Sequence, residues 1–254
     1  MLLEDLTIVI PTFHRRGYLK SCLEGIAKNL PECSVVVVSD DGVAPEFAGL
    51  WNSWLTMAYD TGLTGKRNFG VQAVRTPYTL MGSDDFDFST REARIGIVQM
   101  TKVLKYNTNI DVVVGRHNNR DYHGYLEYKP GEYIKEHRLD MLQTPPIMLR
   151  PHVLWEIDIG PNYFAARTSV LRTVKWDETI RPIGGEHADW FLDLKEADMV
   201  VAYLSLANIN EQPSDPSKQH PAYHRFRNRC WDGHALFMKK RGIKKYYGFD
   251  EEVK

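Results

Sequence analysis

The chain has 254 residues, 43% hydrophobic and 26% charged, and its 32 basic and 33 acidic residues leave a formal net charge of −1. This composition excludes a disordered chain, and the balanced charge excludes a global field that attracts nucleic acid or anionic lipid. Three cysteines without CxxC spacing indicate a reducing compartment, and no stretch reaches the ~20 apolar residues of a membrane span, so we predict a soluble, cytoplasmic protein that is at most peripheral to a membrane.

The first 115 residues alternate between strand and helix patterns. Apolar and β-branched runs predict strands at 6–11, 34–39, 55–59, 78–82 and 110–114. Helical spacing of apolar residues predicts helices at 18–29, 65–74 and 92–106. This alternation predicts an α/β fold with a wound, mostly parallel sheet flanked by helices.

The remainder of the chain has a less regular pattern. Residues 117–161 are rich in polar residues, aromatics and prolines, which predicts a small antiparallel excursion with loops that serve as a cover or substrate-binding wall. A helix at 186–197, a strand at 200–206 and a final helix at 223–241 follow. No internal repeat or linker interrupts the chain, so we predict one domain.

Polar clusters follow three of the predicted strands, at residues 12–16, 40–42 and 83–87. Ligands of wound sheets collect outside the carboxyl ends of the strands. We therefore expect the three clusters to meet in one crevice and to form a nucleotide site.

The last cluster contains Asp84, Asp85 and Asp87. Carboxylates this close repel each other unless a cation lies between them, and Mg²⁺ or Mn²⁺ prefers such oxygen ligands. The alternative is a polar turn in which Ser89 or Thr90 caps the next helix. We interpret Asp87 as a turn residue and the other two acids as a cation site.

Four blocks in this part of the chain resemble the GT-A glycosyltransferases of the family-2 type. They are TIVIPTFHR at 7–15, VVVVSDDG at 35–42, GLTGKRNFG at 62–70 and LMGSDDF at 80–86, in the family's order and spacing. Residues 161–167 and 184–193 are similar to segments of β-1,4-N-acetylgalactosaminyl- and galactosyltransferases. The resemblance implies a GT-A, Rossmann-like fold, with a nucleotide-sugar half at 1–115, an acceptor half at 116–215 and a basic helical tail at 216–254.

The resemblance also implies a donor site and a metal site. Gly82 or Ser83 stands at the position of the aspartate that usually opens the DxD motif. It therefore stays open which of Asp84 and Asp85 is the metal ligand and which contacts the ribose. The donor site comprises Pro11, Thr12, Arg15, Asp40, Asp41, Lys66, Arg67, Ser83 and Asp84. The metal ligands are Asp84 and Asp85, completed by His220 or His224.

Physical chemistry gives these residue types matching roles. Asp40 or Asp41 can accept a hydrogen bond from a uracil N–H. Positive charge near a diphosphate is supplied by Arg15, Lys66 and Arg67. The alternative for Arg67 is that it only belongs to an ordinary polar helix N-terminus. Pro221 starts a helix between the two histidines and weakens their sharing of one helix face.

Glu186, His187 and Asp189 are the candidates for the catalytic base. Glu186 and Asp189 stand at i and i+3 and therefore share a helix face. His187 takes the place that an aspartate base has in many relatives of the resembled family. We rank Asp189 first, Glu186 second and His187 third; the alternative is that the acids only favour the helix N-terminus.

We therefore predict an enzyme that moves a sugar from a nucleotide-diphosphate sugar, UDP-linked, to a hydroxyl of a glycan, lipid-linked or polymer acceptor. The reaction is expected to depend on Mn²⁺ or Mg²⁺ and to invert the anomeric centre by direct displacement. Alternatives are transfer to a nucleic-acid base or anionic polymer, and a non-catalytic carbohydrate- or nucleic-acid-binding module that uses the tail. Residues 218–245 carry nine basic side chains and one acid, with aromatics between them. A sugar-nucleotide pyrophosphorylase is disfavoured because residues 11–15 lack a glycine-rich loop.

Overall fold

The computed structural model describes residues 2–42, 47–120, 122–149, 151–249 and 252–253. The strands are β1 (Leu6–Thr12), β2 (Ser34–Ser39), β3 (Ser53–Thr56), β4 (Tyr78–Met81), β5 (Val112–His117), β6 (Gly124–Lys129), β7 (Tyr133–Arg138), β8 (Ile147–Leu149), β9 (His152–Ile157), β10 (Phe164–Arg167), β11 (Val201–Ile209), β12 (Lys245–Tyr247) and β13 (Glu252–Val253). The helices are α1 (Arg16–Asn29), α2 (Leu63–Ala73), α3 (Arg91–Tyr106), α4 (Thr168–Thr173), α5 (Glu186–Glu196), α6 (Tyr223–Arg227) and α7 (Cys230–Arg241).

Nine strands of the described residues form the main sheet, in the order β3-β2-β1-β4-β10-β5-β11-β9-β8. The first four run parallel, and β10 is inserted antiparallel between β4 and β5. The predicted wound α/β fold is confirmed. Because β1, β2 and β4 are parallel neighbours, their carboxyl ends lie side by side at one edge of the sheet.

Both faces of the central strands are buried, which explains their nearly continuous apolar sequences. Ile8 and Ile10 pack in the core on one face, and Val9 packs in the core on the other. Gly70 brings α2 close to this second face, since a Cβ there would lie 2.5 Å from Val9 Cγ1. On the first face, the Thr90 side chain accepts a hydrogen bond from the N–H of Ala93 and caps α3, as the turn interpretation predicts.

A second sheet has the order β13-β12-β7-β6. Its β6–β7 hairpin is the predicted antiparallel excursion, whereas β12 comes from the tail and pairs parallel with β7. Two element predictions need correction. The third strand lies at Ser53–Thr56 instead of 55–59, and the final helix is divided into α6 and α7. Among the described residues, no helix combines the length and the apolar character needed to cross a bilayer.

Candidate active site

The loops after β1, β2 and β4 open onto one cavity of about 760 Å³. Thus the three polar clusters at the strand ends meet as expected. The predicted site residues that line this cavity are Pro11, Thr12, Arg15, Asp40, Lys66, Arg67, Ser83, Asp84, Asp85, His187 and His224. Those outside the lining are Asp41, Glu186, Asp189 and His220.

Arg15 joins the two acids of the predicted cation site. Its Nη1 lies 2.9 Å from Asp84 Oδ1, and its Nη2 lies 2.8 Å from Asp85 Oδ2. The other oxygen of Asp84, Oδ2, accepts a hydrogen bond from the Thr12 hydroxyl at 2.8 Å. The other oxygen of Asp85, Oδ1, accepts one from the Ser83 hydroxyl. Burial raises the pKa of Asp84 to about 6 even though Arg15 opposes that shift. Burial also disfavours ionised Asp85, but Arg15 and the Ser83 hydroxyl outweigh it and hold its pKa below the ordinary value.

The acid pair fits a divalent cation in its donor chemistry, because hard carboxylate oxygens already converge there on one positive group. The predicted third ligands do not join them. His220 Nδ1 accepts from the N–H of Ala222, and His224 Nε2 lies 3.0 Å from the Gln219 amide nitrogen. In the part of the chain that the structure describes, no three His, Cys, Asp or Glu side chains form a group that could hold a metal. His220 precedes α6 and lies outside the cavity, whereas His224 lines it.

Asp40 and Asp41 follow the same strand but face different surroundings. Asp40 lines the cavity, and its carboxylate lies 2.6 Å from Lys66 Nζ and accepts from the N–H of Gly62 at 3.0 Å. Burial raises the pKa of Asp40, although Lys66 acts in the opposite direction. Asp41 is instead held by Arg16 at 2.9 Å. Thus Asp40 is the better placed of the two to meet a ligand.

Arg67 is a buried cation in the cavity wall, only 4% exposed. Its Nη2 donates to Asn162 Oδ1 at 2.9 Å, and its Nη1 lies 4.0 Å from Glu186 Oε1. Within the described residues, its Nε and Nη1 have no hydrogen-bond partner. Burial lowers the pKa of Arg67. Two buried donors without partners are suited to the oxygens of a bound anion or sugar.

Asp189 is held in a buried ion-pair network. It is 1% exposed, and its carboxylate lies 2.8 Å from Lys240 Nζ and 2.6 Å from Arg241 Nε. Burial raises its pKa, against the effect of Lys240 and Arg241. It also lies outside the cavity lining, and its oxygens neutralise Lys240 and Arg241 of α7.

The other two base candidates are closer to the cavity. Glu186 Oε2 accepts from the N–H of Gly184 at 2.6 Å, and the side chain does not line the cavity. His187 does line it, with Nε2 hydrogen-bonded to the carbonyl of Gly160, and Nδ1 has no partner within the described residues. Burial lowers the pKa of His187 to about 4, so the ring is neutral at physiological pH and a weak base.

Several lining residues carry no recognisable sequence motif. The tail covers part of the cavity through Phe226, whose ring lies 4.7 Å from that of Phe13. Arg229 fixes this segment by a bidentate pair with Asp60 at 2.7 and 2.8 Å. Glu136 of the second sheet also lines the cavity. It lies in the irregular region, where only the prediction of a substrate-binding wall pointed to function.

No protein-family model matches the chain. Mouse β-1,4 N-acetylgalactosaminyltransferase 2 is 30% identical over 219 residues, which cover 84% of this chain and 40% of that protein. The chain spans less than half the length of the curated relatives that it matches. The predicted resemblance to β-1,4-N-acetylgalactosaminyltransferases is confirmed.

Two of the similar solved structures each cover 93% of this chain and have TM-scores of about 0.6. One is GalNAc-T7 with UDP, GalNAc and Mn²⁺, with a TM-score of 0.61, 13% identity and 50% of that protein covered. The other is the mannosyltransferase PcManGT from Pyrobaculum calidifontis with GDP-Man and Mn²⁺, with a TM-score of 0.60, 11% identity and 64% covered. These likenesses confirm the predicted GT-A fold, and the names of both neighbours and relatives agree with the predicted enzyme class.

Proposed function

We propose that this chain, which has the GT-A fold and resembles the β-1,4-N-acetylgalactosaminyltransferases, is a nucleotide-sugar-dependent glycosyltransferase. The observation that carries this proposal is the meeting of three strand-end polar clusters in one cavity of about 760 Å³. The donor is a UDP-linked hexose or N-acetylhexosamine. The name of the mouse relative and the UDP and Mn²⁺ bound to GalNAc-T7 support this choice.

Each wall of the cavity has a role in donor binding. Asp40 accepts from the base of the nucleotide. Asp84 and Asp85 would hold Mn²⁺ or Mg²⁺, and the bound ion would supply positive charge to neutralise the departing diphosphate. Arg67 directs its two free donors at oxygens of the diphosphate or the sugar, and its burial strengthens those bonds because water is excluded.

Transfer proceeds by direct displacement with inversion. The acceptor hydroxyl, on a glycan, lipid-linked or polymer molecule, attacks the anomeric carbon from the side opposite the diphosphate. The closed tail segment excludes water from the donor, which limits hydrolysis.

Nucleic-acid binding through the tail receives less support. The basic side chains Arg229, Lys240 and Arg241 are already paired with acids of the fold. A side chain held in such a pair has to break it before it can contact a phosphate. Three of the nine basic side chains at 218–245 are therefore neutralised within the fold.

The test is a panel of UDP- and GDP-sugars, with Mn²⁺, Mg²⁺ or EDTA, read by thermal shift and by release of the nucleoside diphosphate. We expect one UDP-sugar with Mn²⁺ to raise the Tm and to be hydrolysed slowly. The double variant Asp84→Asn with Asp85→Asn should lose both effects. Asp87→Asn, which changes a nearby carboxylate that accepts from Ser89, is the matched control. Absence of binding to every sugar, or undiminished metal-dependent turnover in the double variant, would refute the proposal.

A further inference from the structure

The carboxylates that line the cavity differ in their partners. Most have a basic side chain within 4.0 Å: Asp40 has Lys66, Asp60 has Arg229, Asp84 and Asp85 have Arg15, and Glu211 has His117. Among the lining residues that the structure describes, Glu136 is the carboxylate without such a partner. A carboxylate without a permanent cation is the one free to bind and release a proton.

Glu136 lies on β7 and is held in a defined orientation. It is 8% exposed, its Oε1 accepts from the hydroxyl of Tyr246 on β12, and the backbone N–H of Phe249 also donates to the carboxylate. These two strands are parallel neighbours, with Tyr246 opposite Ile134. Two neutral donors thus fix the carboxylate at the cavity wall. Among the described side chains it forms no salt bridge, although the Arg138 guanidinium on the same strand acts on it electrostatically.

Tyr246 connects Glu136 to residues 184–193, the segment that resembles the β-1,4-N-acetylgalactosaminyl- and galactosyltransferases. Its ring packs on Phe237 of α7 with a centroid distance of 5.3 Å. Phe237 in turn packs directly on Gly185, so closely that a Cβ at this glycine would lie 2.6 Å from the Phe237 Cβ. Glu186, the next residue, acts electrostatically on the Tyr246 phenol. Glu136 is therefore connected to the start of α5 through Tyr246 and Phe237.

We propose that Glu136 is the general base of the transfer reaction, an inference that rests on the proposed function. Its carboxylate takes the proton of the acceptor hydroxyl while that oxygen forms a bond to the anomeric carbon. The bond from that carbon to the diphosphate breaks at the same time, and its electron pair leaves on the diphosphate. Tyr246 is a positioning residue that orients the carboxylate.

The chemistry of the alternatives favours Glu136. Asp189 is bound by two cations outside the cavity, and Glu186 is tied to a backbone N–H away from the lining. His187 faces the cavity, but its pKa of about 4 makes it a poor proton acceptor. Burial raises the pKa of Glu136 to about 7, close to the pH at which a general base is most effective.

The variant Glu136→Gln keeps the shape of the side chain and removes the base. We expect the Kd for the UDP-sugar found in the donor panel to change less than twofold, and kcat for transfer to a mixture of glycan acceptors to fall at least about 100-fold. Glu127→Gln, an exposed glutamate on the adjacent strand β6, is the matched control and should retain full activity.

The pH dependence separates a catalytic from a structural role. Wild-type kcat should rise with pH through about 7, as Glu136 loses its proton. The groups that face it are the Tyr246 phenol and the Arg138 guanidinium, with Glu186 and His234 beyond the tyrosine. Tyr246→Phe removes a hydrogen bond that favours the ionised form, so the rise should move to higher pH. Glu136→Asp retains a carboxylate, so its kcat should be lower than that of wild type but should still rise with pH. This variant replaces Glu136→Gln in the test if the glutamine variant does not fold.

Three outcomes would overturn the inference: kcat of Glu136→Gln within threefold of wild type, a parallel loss of donor binding and kcat, or an unchanged rise with pH in that variant. Each of these leaves the donor panel of the wild type positive. A wild type that neither binds nor hydrolyses any nucleotide sugar overturns the proposed function instead, and the role of Glu136 with it.

Discussion

Replacement of Asp189 by asparagine should destabilise the fold without removing the catalytic base. The asparagine keeps the shape of the side chain but cannot neutralise Lys240 and Arg241. These two cations connect α7 to α5, and α7 carries the ring that packs on Tyr246. The primary effect should therefore appear in the free energy of unfolding.

The magnitude follows from the burial of the three partners. Removing one partner of a buried ion pair costs about 3–5 kcal/mol, since the remaining charge is left without compensation. Arg241 is 8% exposed and cannot turn to solvent, whereas Lys240 is 31% exposed and can do so. Arg241 also keeps its bond to Asp193 at 2.6 Å. We therefore expect a loss of about 3 kcal/mol, at the lower end of that range.

Urea denaturation followed by circular dichroism measures this loss directly. Asp193→Asn is the matched control: its carboxylate is 27% exposed and contacts the same two cations, so its removal should cost about 1 kcal/mol or less. At a temperature where Asp189→Asn remains folded, kcat should stay within about tenfold of wild type. An unchanged free energy of unfolding together with a loss of kcat of more than about 100-fold would refute the reasoning and restore Asp189 as the base.

Three further predictions concern the donor wall, the helix packing and the second sheet. Lys66→Met leaves Asp40 buried without its cation and should lower the free energy of unfolding by about 3–5 kcal/mol, measured by urea denaturation. The double variant with Asp40→Asn should recover most of this loss. If the losses of the two single variants simply added, the pairing would be contradicted. Gly70→Ala places a Cβ 2.5 Å from Val9 Cγ1, so Tm should fall by an amount equivalent to about 1–3 kcal/mol; an unchanged Tm would contradict the close packing. Folded Glu136 binds its proton more tightly than the unfolded chain does, because burial raises its pKa from 4.5 to about 7. The stability that protonated Glu136 contributes is therefore complete below pH 4.5 and is lost as the pH rises to about 7. Over this interval the Tm of wild type should fall relative to the Tm of Glu136→Gln. A difference in Tm that stays constant with pH would argue against the raised pKa.

The first 115 residues were largely predictable because their signals are local. The run 34–39 contains four consecutive valines and becomes β2, and these valines are buried on both faces of the sheet. The strand-end positions of Asp40 and Asp84 follow directly from such runs, and parallel pairing of the strands brings them together. Here local pattern and topology point to the same arrangement.

The second half depended on pairings that no local pattern reveals. Strand β12 has three residues and pairs with β7, more than 100 residues earlier in the chain. Strand β10 has four residues and lies antiparallel within an otherwise wound order. Short strands like these carry too few residues to show periodicity, and their partners are decided by tertiary packing. Thus the wall that contains Glu136 was expected only in outline.

The contrast between the two halves has a chemical consequence for the site. Asp40, Asp84 and Asp189 were prominent in the sequence because they stand at strand ends or at the start of a helix, and each of them is bound to a cation in the folded protein. A carboxylate with a permanent cation is suited to hold charge in place, because that cation disfavours proton uptake. Proton transfer requires the opposite surroundings, a buried carboxylate with neutral donors, as at Glu136. Such a residue is identified by a buried carboxylate that forms no salt bridge, a property of the tertiary structure that a motif does not encode.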